Sequence, residues 1–151
     1  MRILVINGPN LNMLGVREPD VYGRRTYADL KNDILCWARE VGVTADIFQS
    51  NHEGAIVDRI QAALGAYDGI LINAAAYSHT SVAILDALKA VGLPVCEVHL
   101  TDITAREEFR HFSYISLIAG KSVMGKGFEG YREGLIWLKQ ETLKEKDHDE
   151  G

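Results

Sequence analysis

Glu97 and His99 stand one residue apart in the apolar run from Pro94 to His99. Alternate residues of a strand share a face, so these two point together and Val98 points away. A carboxylate beside an imidazole favours its protonated form and fixes its orientation, which makes His99 a candidate general acid or base. The competing reading is a structural hydrogen-bonded pair. A second candidate group is Arg17, Tyr22, Arg24 and Arg25, all in one polar stretch with a Pro and a Gly. A phenol is almost wholly protonated at neutral pH. Nearby guanidiniums favour the tyrosinate and bring it closer to use as a base. This stretch reads either as a lid that carries the base or as a surface loop on which Tyr22 packs. The chemistry implied is proton abstraction by one group and protonation of a leaving group by another.

Other polar residues fall at the ends of apolar runs. The turn Asn7-Gly8-Pro9-Asn10 is shaped by its Gly and Pro, and Asn10 lies further out, where a ligand could reach its amide. Asn73 ends another run and leads into Tyr77-Ser78-His79-Thr80-Ser81. Free N–H groups at a helix start there suit a carboxylate, and the hydroxyls equally suit a helix cap. Asp86 lies two turns beyond His79, as a solvent-facing charge or an interface contact. Arg110 is a candidate anion clamp, and Arg106 reads as a salt-bridge residue. A zinc site would need ligands assembled from scattered loops, so no metal is expected. The loop after the first strand has no G-x-x-x-x-G-K-[ST] and no G-x-G-x-x-G, which argues against a nucleotide site there, and Ser113 and Ser122 sit in no G-x-S-x-G that would make either a hydrolase nucleophile.

The elements that must position these residues alternate. Strands are expected at Ile3–Asn7, Val43–Phe48, Gly69–Asn73, Pro94–His99 and Ile115–Ala119. Helices are expected from Thr26 to Gly42, with Asp29 in a partial capping box, and from Glu53 to near Gly65. Two more run from about Ser78 to Val91, with Val82, Leu85 and Leu88 inward, and from Phe128 to about Lys144. Thr104-x-x-Glu107 is expected to cap one short helical turn. Residues 145–151 read as a charged, frayed tail on a single domain spanning 1–144. Strands apolar on both faces, alternating with helices, imply a parallel sheet covered on two sides: a three-layer α/β sandwich. Ligands of such a sheet bind beyond the strands' carboxyl ends, so the tails of the first, third and fourth strands converge on one rim.

Composition is consistent with one globular domain. The chain has 151 residues, 47% hydrophobic and 25% charged, with a formal net charge of -5. That charge disfavours nucleic acid and anionic membranes as partners. No run is long enough to span a membrane, and the first residues read as a strand without the apolar stretch and cleavage site of a signal peptide. Cys36 and Cys96 are expected as buried free thiols, which suits a reducing, cytoplasmic setting.

Several stretches, in this order, resemble type II 3-dehydroquinate dehydratase over Ile3 to about Leu138. They are Asn7-Gly8-Pro9-Asn10-Leu11-Asn12-Met13-Leu14-Gly15, Arg17-Glu18-Pro19, Tyr22-Gly23 and Gln49-Ser50-Asn51-His52-Glu53-Gly54. His79-Thr80-Ser81-Val82-Ala83-Ile84, Glu97-Val98-His99-Leu100, Arg106-Glu107-x-Phe109-Arg110 and Gly130-Tyr131 follow. The resemblance implies a flavodoxin-like fold, a dodecamer built as four trimers, and trans-dehydration of 3-dehydroquinate to 3-dehydroshikimate without metal or organic cofactor. It implies Tyr22 as the base, Arg17 as the lid arginine that helps ionise it, and Asn10 as the holder of a water that stabilises the enolate. His99 would be the acid, oriented by Glu97. Asn73, His79 and Arg110 would meet substrate hydroxyls, the backbone near Leu100 and Thr101 would seat the carboxylate, and Asp86 would reach a neighbouring subunit's site.

The sequence departs from that family's pattern at Asn73-Ala74-Ala75-Ala76 for Asn-Pro-Gly-Ala, at Leu100-Thr101-Asp102 for Leu-Ser-Asn, and at Gly125-Lys126-Gly127 for Gly-Leu-Gly. Ala75 restricts the backbone beside the site, and Asp102 would set a negative charge near an anionic substrate. These departures keep open a related dehydratase of another cyclic hydroxy acid and a non-catalytic paralogue with the same pocket and assembly. A flavin-binding electron carrier of the same general fold is a further reading, and the hydroxyl-rich phosphate loop it would need after the first strand is missing from this sequence. Biosynthetic shikimate and catabolic quinate roles use the same reaction, and the sequence does not separate them.

Overall fold

The computed structural model describes residues 1–16 and 18–150, apart from the side chains of Val21 and Tyr22. Five parallel strands form one sheet: β1 (Arg2–Asn7), β2 (Thr44–Gln49), β3 (Gly69–Asn73), β4 (Val95–His99) and β5 (Lys121–Met124). Their spatial order is β2-β1-β3-β4-β5, the flavodoxin-like order. The helices are α1 (Pro19–Tyr22), α2 (Tyr27–Val41), α3 (Glu53–Gln61), α4 (Val82–Val91) and α5 (Glu129–Glu150).

Period-two alternation along β1 divides the core. Ile3 and Val5 join Leu30, Ile34 and Ala38 of α2 and Tyr131, Leu135 and Leu138 of α5 on one face. Leu4 and Ile6 join Ile56 and Ile60 of α3 and Ile84, Ala87 and Leu88 of α4 on the other. Both faces of the central strands are dry, which is why their sequences read as unbroken apolar runs. Thr26 and Asp29 make the full capping box of α2, and Gly42 ends it at φ +86°.

The structure corrects several element assignments. Ile115–Ala119 is not the fifth strand. Ile115–Leu117 is a 3-10 turn whose Ile115 is fully buried among the α3 and α4 side chains. The true edge strand, β5, buries only Val123, so its sequence carries almost no apolar signal. The helix expected from Ser78 divides into a 3-10 turn, Ala75–His79, and α4, capped by the Ser81 hydroxyl. Val82 lies on the exposed side of α4, and Ile84 takes the inward place. The turn after β4 is capped by Asp102, not Thr104. α1 adds one helical turn, with Pro19 opening it, where only a loop was expected. α5 runs past Lys144 to Glu150, and Cys36 is exposed while Cys96 is buried.

The carboxyl ends of β1 and β3 are pinned together. Gly8 N–H donates to the Asn73 carbonyl at 2.8 Å, and a Cβ at Gly8 would overlap the Ala74 carbonyl. Gly8→Ala should therefore force the two loops apart and cost about 1–3 kcal/mol, as overpacking does. Urea unfolding is expected to show a lower midpoint at unchanged slope; an unchanged midpoint would mean that the loops separate freely.

Candidate active site

A hollow opens beyond the carboxyl ends of β1, β3 and β4, enclosing about 520 Å³ with open solvent included. Pro9, Asn10 and Leu11 line it from β1, and Asn73, Ala75, Ala76 and His79 from β3. His99, Leu100, Thr101, Ile103, Arg106 and Arg110 complete it from β4. The strand order reverses between β1 and β3, which leaves this crevice uncovered. Two guanidiniums and two imidazoles face the hollow, and no carboxylate is among its lining residues. Such a wall favours an anion.

Behind His99 lies Glu97, with no exposed surface. His99 Nε2 donates to Glu97 Oε2 at 2.7 Å. The same oxygen accepts the Ser113 hydroxyl, and Oε1 accepts the hydroxyls of Ser116 and, at 2.8 Å, Ser122. Burial pushes the Glu97 carboxyl up. Its hydrogen bond to His99, the imidazole's charge and the Ser113 and Ser116 hydroxyls outweigh that push and bring it from 4.5 to about 2. Glu97 is thus a fixed anion, and its bond to Nε2 leaves the Nδ1 edge of His99 as the edge that can serve a ligand. The His79 ring lies nearly parallel to that of His99 at 6.2 Å between centroids, held through Nδ1 to the Phe112 carbonyl at 2.8 Å.

Asn10 is held in the left-handed region at φ +69°, which an asparagine tolerates, and its N–H donates to Asn51 Oδ1 at 3.0 Å. Arg110 Nε binds Glu107 Oε2 at 2.9 Å, and Arg106 Nε lies 3.7 Å from the same oxygen. Asp102 does not charge the hollow as expected. Its carboxylate accepts the Thr104 N–H at 2.9 Å and the Thr104 hydroxyl at 2.7 Å, and it borders a different surface hollow with Lys121 and Lys126. The Thr104 hydroxyl and N–H hold that carboxyl below its ordinary value.

The structure thus gathers Asn10, Asn73, His79, His99, Leu100, Thr101 and Arg110 around one hollow, with Glu97 directly behind. Asp86 is exposed on α4 and does not line the hollow of its own chain. Arg17 and the Tyr22 side chain lie outside the described residues. Sequence reasoning missed Arg106 as a lining residue, having read it as a surface ion pair. It also missed the serines around Glu97, whose separations of 16 to 25 residues carry no local signal. Among the described residues no three His, Cys, Asp or Glu side chains group to hold a metal, and no helix is long and apolar enough to cross a membrane.

Comparison with known proteins agrees with this geometry. Residues 1–139 match the family model described as dehydroquinase class II. A catabolic 3-dehydroquinase 1 of Aspergillus terreus is 57% identical over 130 residues, covering 86% of each chain. A 3-dehydroquinate dehydratase of Bordetella avium is 56% identical over 134 residues, 88% of this chain and 93% of that one. The crystal structure of a type II dehydroquinase from Butyrivibrio crossotus superimposes with a TM-score of 0.90 at 45% identity, covering 92% of this chain and 97% of that one. With a family model spanning nearly the whole chain and relatives above half identity, this protein belongs to the class II dehydroquinase family.

Proposed function

We propose that this chain is a hydro-lyase that converts 3-dehydroquinate to 3-dehydroshikimate through an enolate. The observation that carries this reading is the anion-favouring hollow in which the buried Glu97 carboxylate holds His99 at the wall. Tyr22 is the base that takes the proton beside the ketone, and Arg17 stabilises its tyrosinate. Asn10 holds the water that stabilises the enolate oxygen. His99 then protonates the departing hydroxyl, and Glu97 stays ionised and orients it. Asn73, His79 and Arg110 meet the ring hydroxyls.

The substrate carboxylate sits against the backbone at Leu100 and Thr101. The Gly127 N–H takes the Leu100 carbonyl at 3.0 Å. A trans peptide holds its C=O and the next N–H on opposite sides, so the Thr101 N–H faces away from Gly127 and is free to meet an anion. The working unit is a closed oligomer of twelve chains, four trimers, with Asp86 reaching a neighbour's site. Asp86 sits exposed on α4, as does the apolar side chain of Val82 on the same helix, and Phe109, Phe112 and Leu117 expose large apolar surface on the segment between β4 and β5, as an interface would. No metal or organic cofactor takes part in this scheme.

The test follows two signals in the same sample: absorbance of the conjugated enone product, and deuterium exchange at the carbon beside the ketone. Tyr22→Phe is expected to abolish both, and Arg17→Ala to depress both. His99→Ala is expected to lower product formation by roughly 10²–10⁴-fold with less effect on exchange. Exchange and turnover at wild-type level in Tyr22→Phe would assign the base to another residue. Absence of both in the wild type would move the reading to a dehydratase of another cyclic acid.

A second prediction concerns acid stability. The Glu97 carboxyl lies lower in the folded chain than its ordinary 4.5, so its ionised form stabilises the fold above that pH. The contribution should be lost as pH falls from 4.5 toward about 2. Glu97→Gln should lack this component, and its urea midpoint should fall less steeply across that window than that of the wild type.

A further inference from the structure

A buried chain of hydrogen bonds runs under the floor of the hollow, and one backbone group sets its direction. The Ala75 N–H donates to Asn73 Oδ1 at 3.1 Å. An N–H can only donate, so the Asn73 oxygen must face it and the Asn73 nitrogen must face the other way. There Nδ2 donates to the Tyr131 hydroxyl at 3.1 Å. With its oxygen accepting, Tyr131 sends its own proton to Asn7 Oδ1 at 2.6 Å. Asn7 Nδ2 then donates to the Tyr27 hydroxyl at 3.3 Å. Each link follows from the one before, so neither asparagine amide can flip without breaking two bonds.

We infer that Tyr131 is a positioning residue for substrate binding, acting through this chain to hold the Asn73 amide in one orientation toward the hollow. The inference rests on the proposed contact between Asn73 and a substrate hydroxyl. Asn73 lines the hollow, yet it is only 3% exposed. Tyr131 is fully buried on α5 and does not line the hollow. The Ala75 backbone that starts the chain is held at φ +52°, a conformation costly to any residue with a Cβ. That conformation accompanies the N–H aimed back at Asn73, a two-residue side-chain turn. Chains whose donors all run one way polarise each other, so removal of a middle member loosens both ends. The Tyr131 hydroxyl is that member. Without it, Asn7 Oδ1 and Asn73 Nδ2 are left buried without their partner, and the Asn73 amide gains freedom to turn.

The experiment is a double-mutant cycle of Tyr131→Phe and Asn73→Ala, read by the KM and kcat for 3-dehydroquinate and by thermal melting. Tyr131→Phe should raise KM about tenfold, as loss of one well-placed hydrogen bond does, with kcat within about twofold. In the Asn73→Ala background the same change should add nothing to KM. A Tyr131→Phe protein that melts lower but keeps its KM has a merely structural hydroxyl, and the inference falls. Additive KM effects also overturn it, because Tyr131 would then act by another route. If Asn73→Ala itself leaves KM unchanged, the substrate contact fails and takes the inference with it. Absence of any turnover in the wild type is a failure of the proposed reaction instead. There, side-chain amide NMR reads the inference directly: the Asn73 NH₂ protons should be protected from exchange with solvent in wild type and lose that protection in Tyr131→Phe. Should Tyr131→Phe not fold, Tyr27→Phe strips only the half-buried end of the chain. A KM rise of about threefold supports the inference, and an unchanged KM overturns it.

Discussion

A carboxylate taken wholly out of water must have its lone pairs filled, and at Glu97 four donors fill them. Much of the site's construction can be traced from that requirement. His99 comes from the same strand two residues on, and Ser122 lies directly opposite on β5, where Glu97 and Ser122 are register partners. Ser113 and Ser116 come from the segment that links β4 to β5, which must therefore fold down over the end of the sheet. That segment also carries Arg106 and Arg110, and its descent brings both guanidiniums to the rim. Each missing donor would leave part of a buried charge unsatisfied, at a cost of about 1–3 kcal/mol. The same bonds keep the carboxylate ionised and the His99 ring fixed, so stability and chemistry rest on one arrangement.

The second constraint is the sheet itself. Parallel strands fed by right-handed crossovers place every carboxyl end on one edge, and the reversal between β1 and β3 leaves a gap there. The gap has a firm floor. Gly8 presses against Ala74, the Gln49 amide nitrogen lies within hydrogen-bonding distance of the Gly8 carbonyl, Asn12 and Asn51, and the Tyr114 N–H binds the Ser78 carbonyl. The tyrosine and arginine assigned to proton abstraction sit instead on the stretch between β1 and α2. Binding and reactive groups carried on connecting segments and held by a rigid sheet are the usual division of labour in such folds.

Three departures from the family's sequence pattern look different in three dimensions. Asp102 spends its charge on capping a turn and leaves the hollow without a carboxylate. Lys126, between two glycines of positive φ, binds Glu133 of α5 at 3.0 Å and does not line the hollow. Ala75 is the departure that stays at the site. It lines the hollow and keeps the left-handed backbone that a glycine would adopt without strain. A position that holds this conformation with a methyl group present is held there by its surroundings, and the Asn73 side chain is part of them.

The layers, most of the sheet and the convergence of the site can be read from the residues alone. Unbroken apolar runs ending in Asn7 and Asn73, and a run ending in His99 that Glu97 alone interrupts, specify central parallel strands, because a strand dry on both faces cannot alternate. The Glu97 and His99 pair was equally legible, since strand periodicity alone places both side chains on one face. Everything that depends on distant partners comes only with packing. The edge strand β5 has one buried side chain and was overlooked in favour of Ile115–Ala119, whose apolar residues serve a turn packed against α4. Arg106 looked like surface charge until the descent of its segment turned it inward. The serines around Glu97 and the Tyr131 hydroxyl between two asparagines had no local mark, because a hydrogen bond across 124 residues of chain leaves no periodicity behind. Local spacing encodes which way a side chain points, and only the packed fold encodes what it meets.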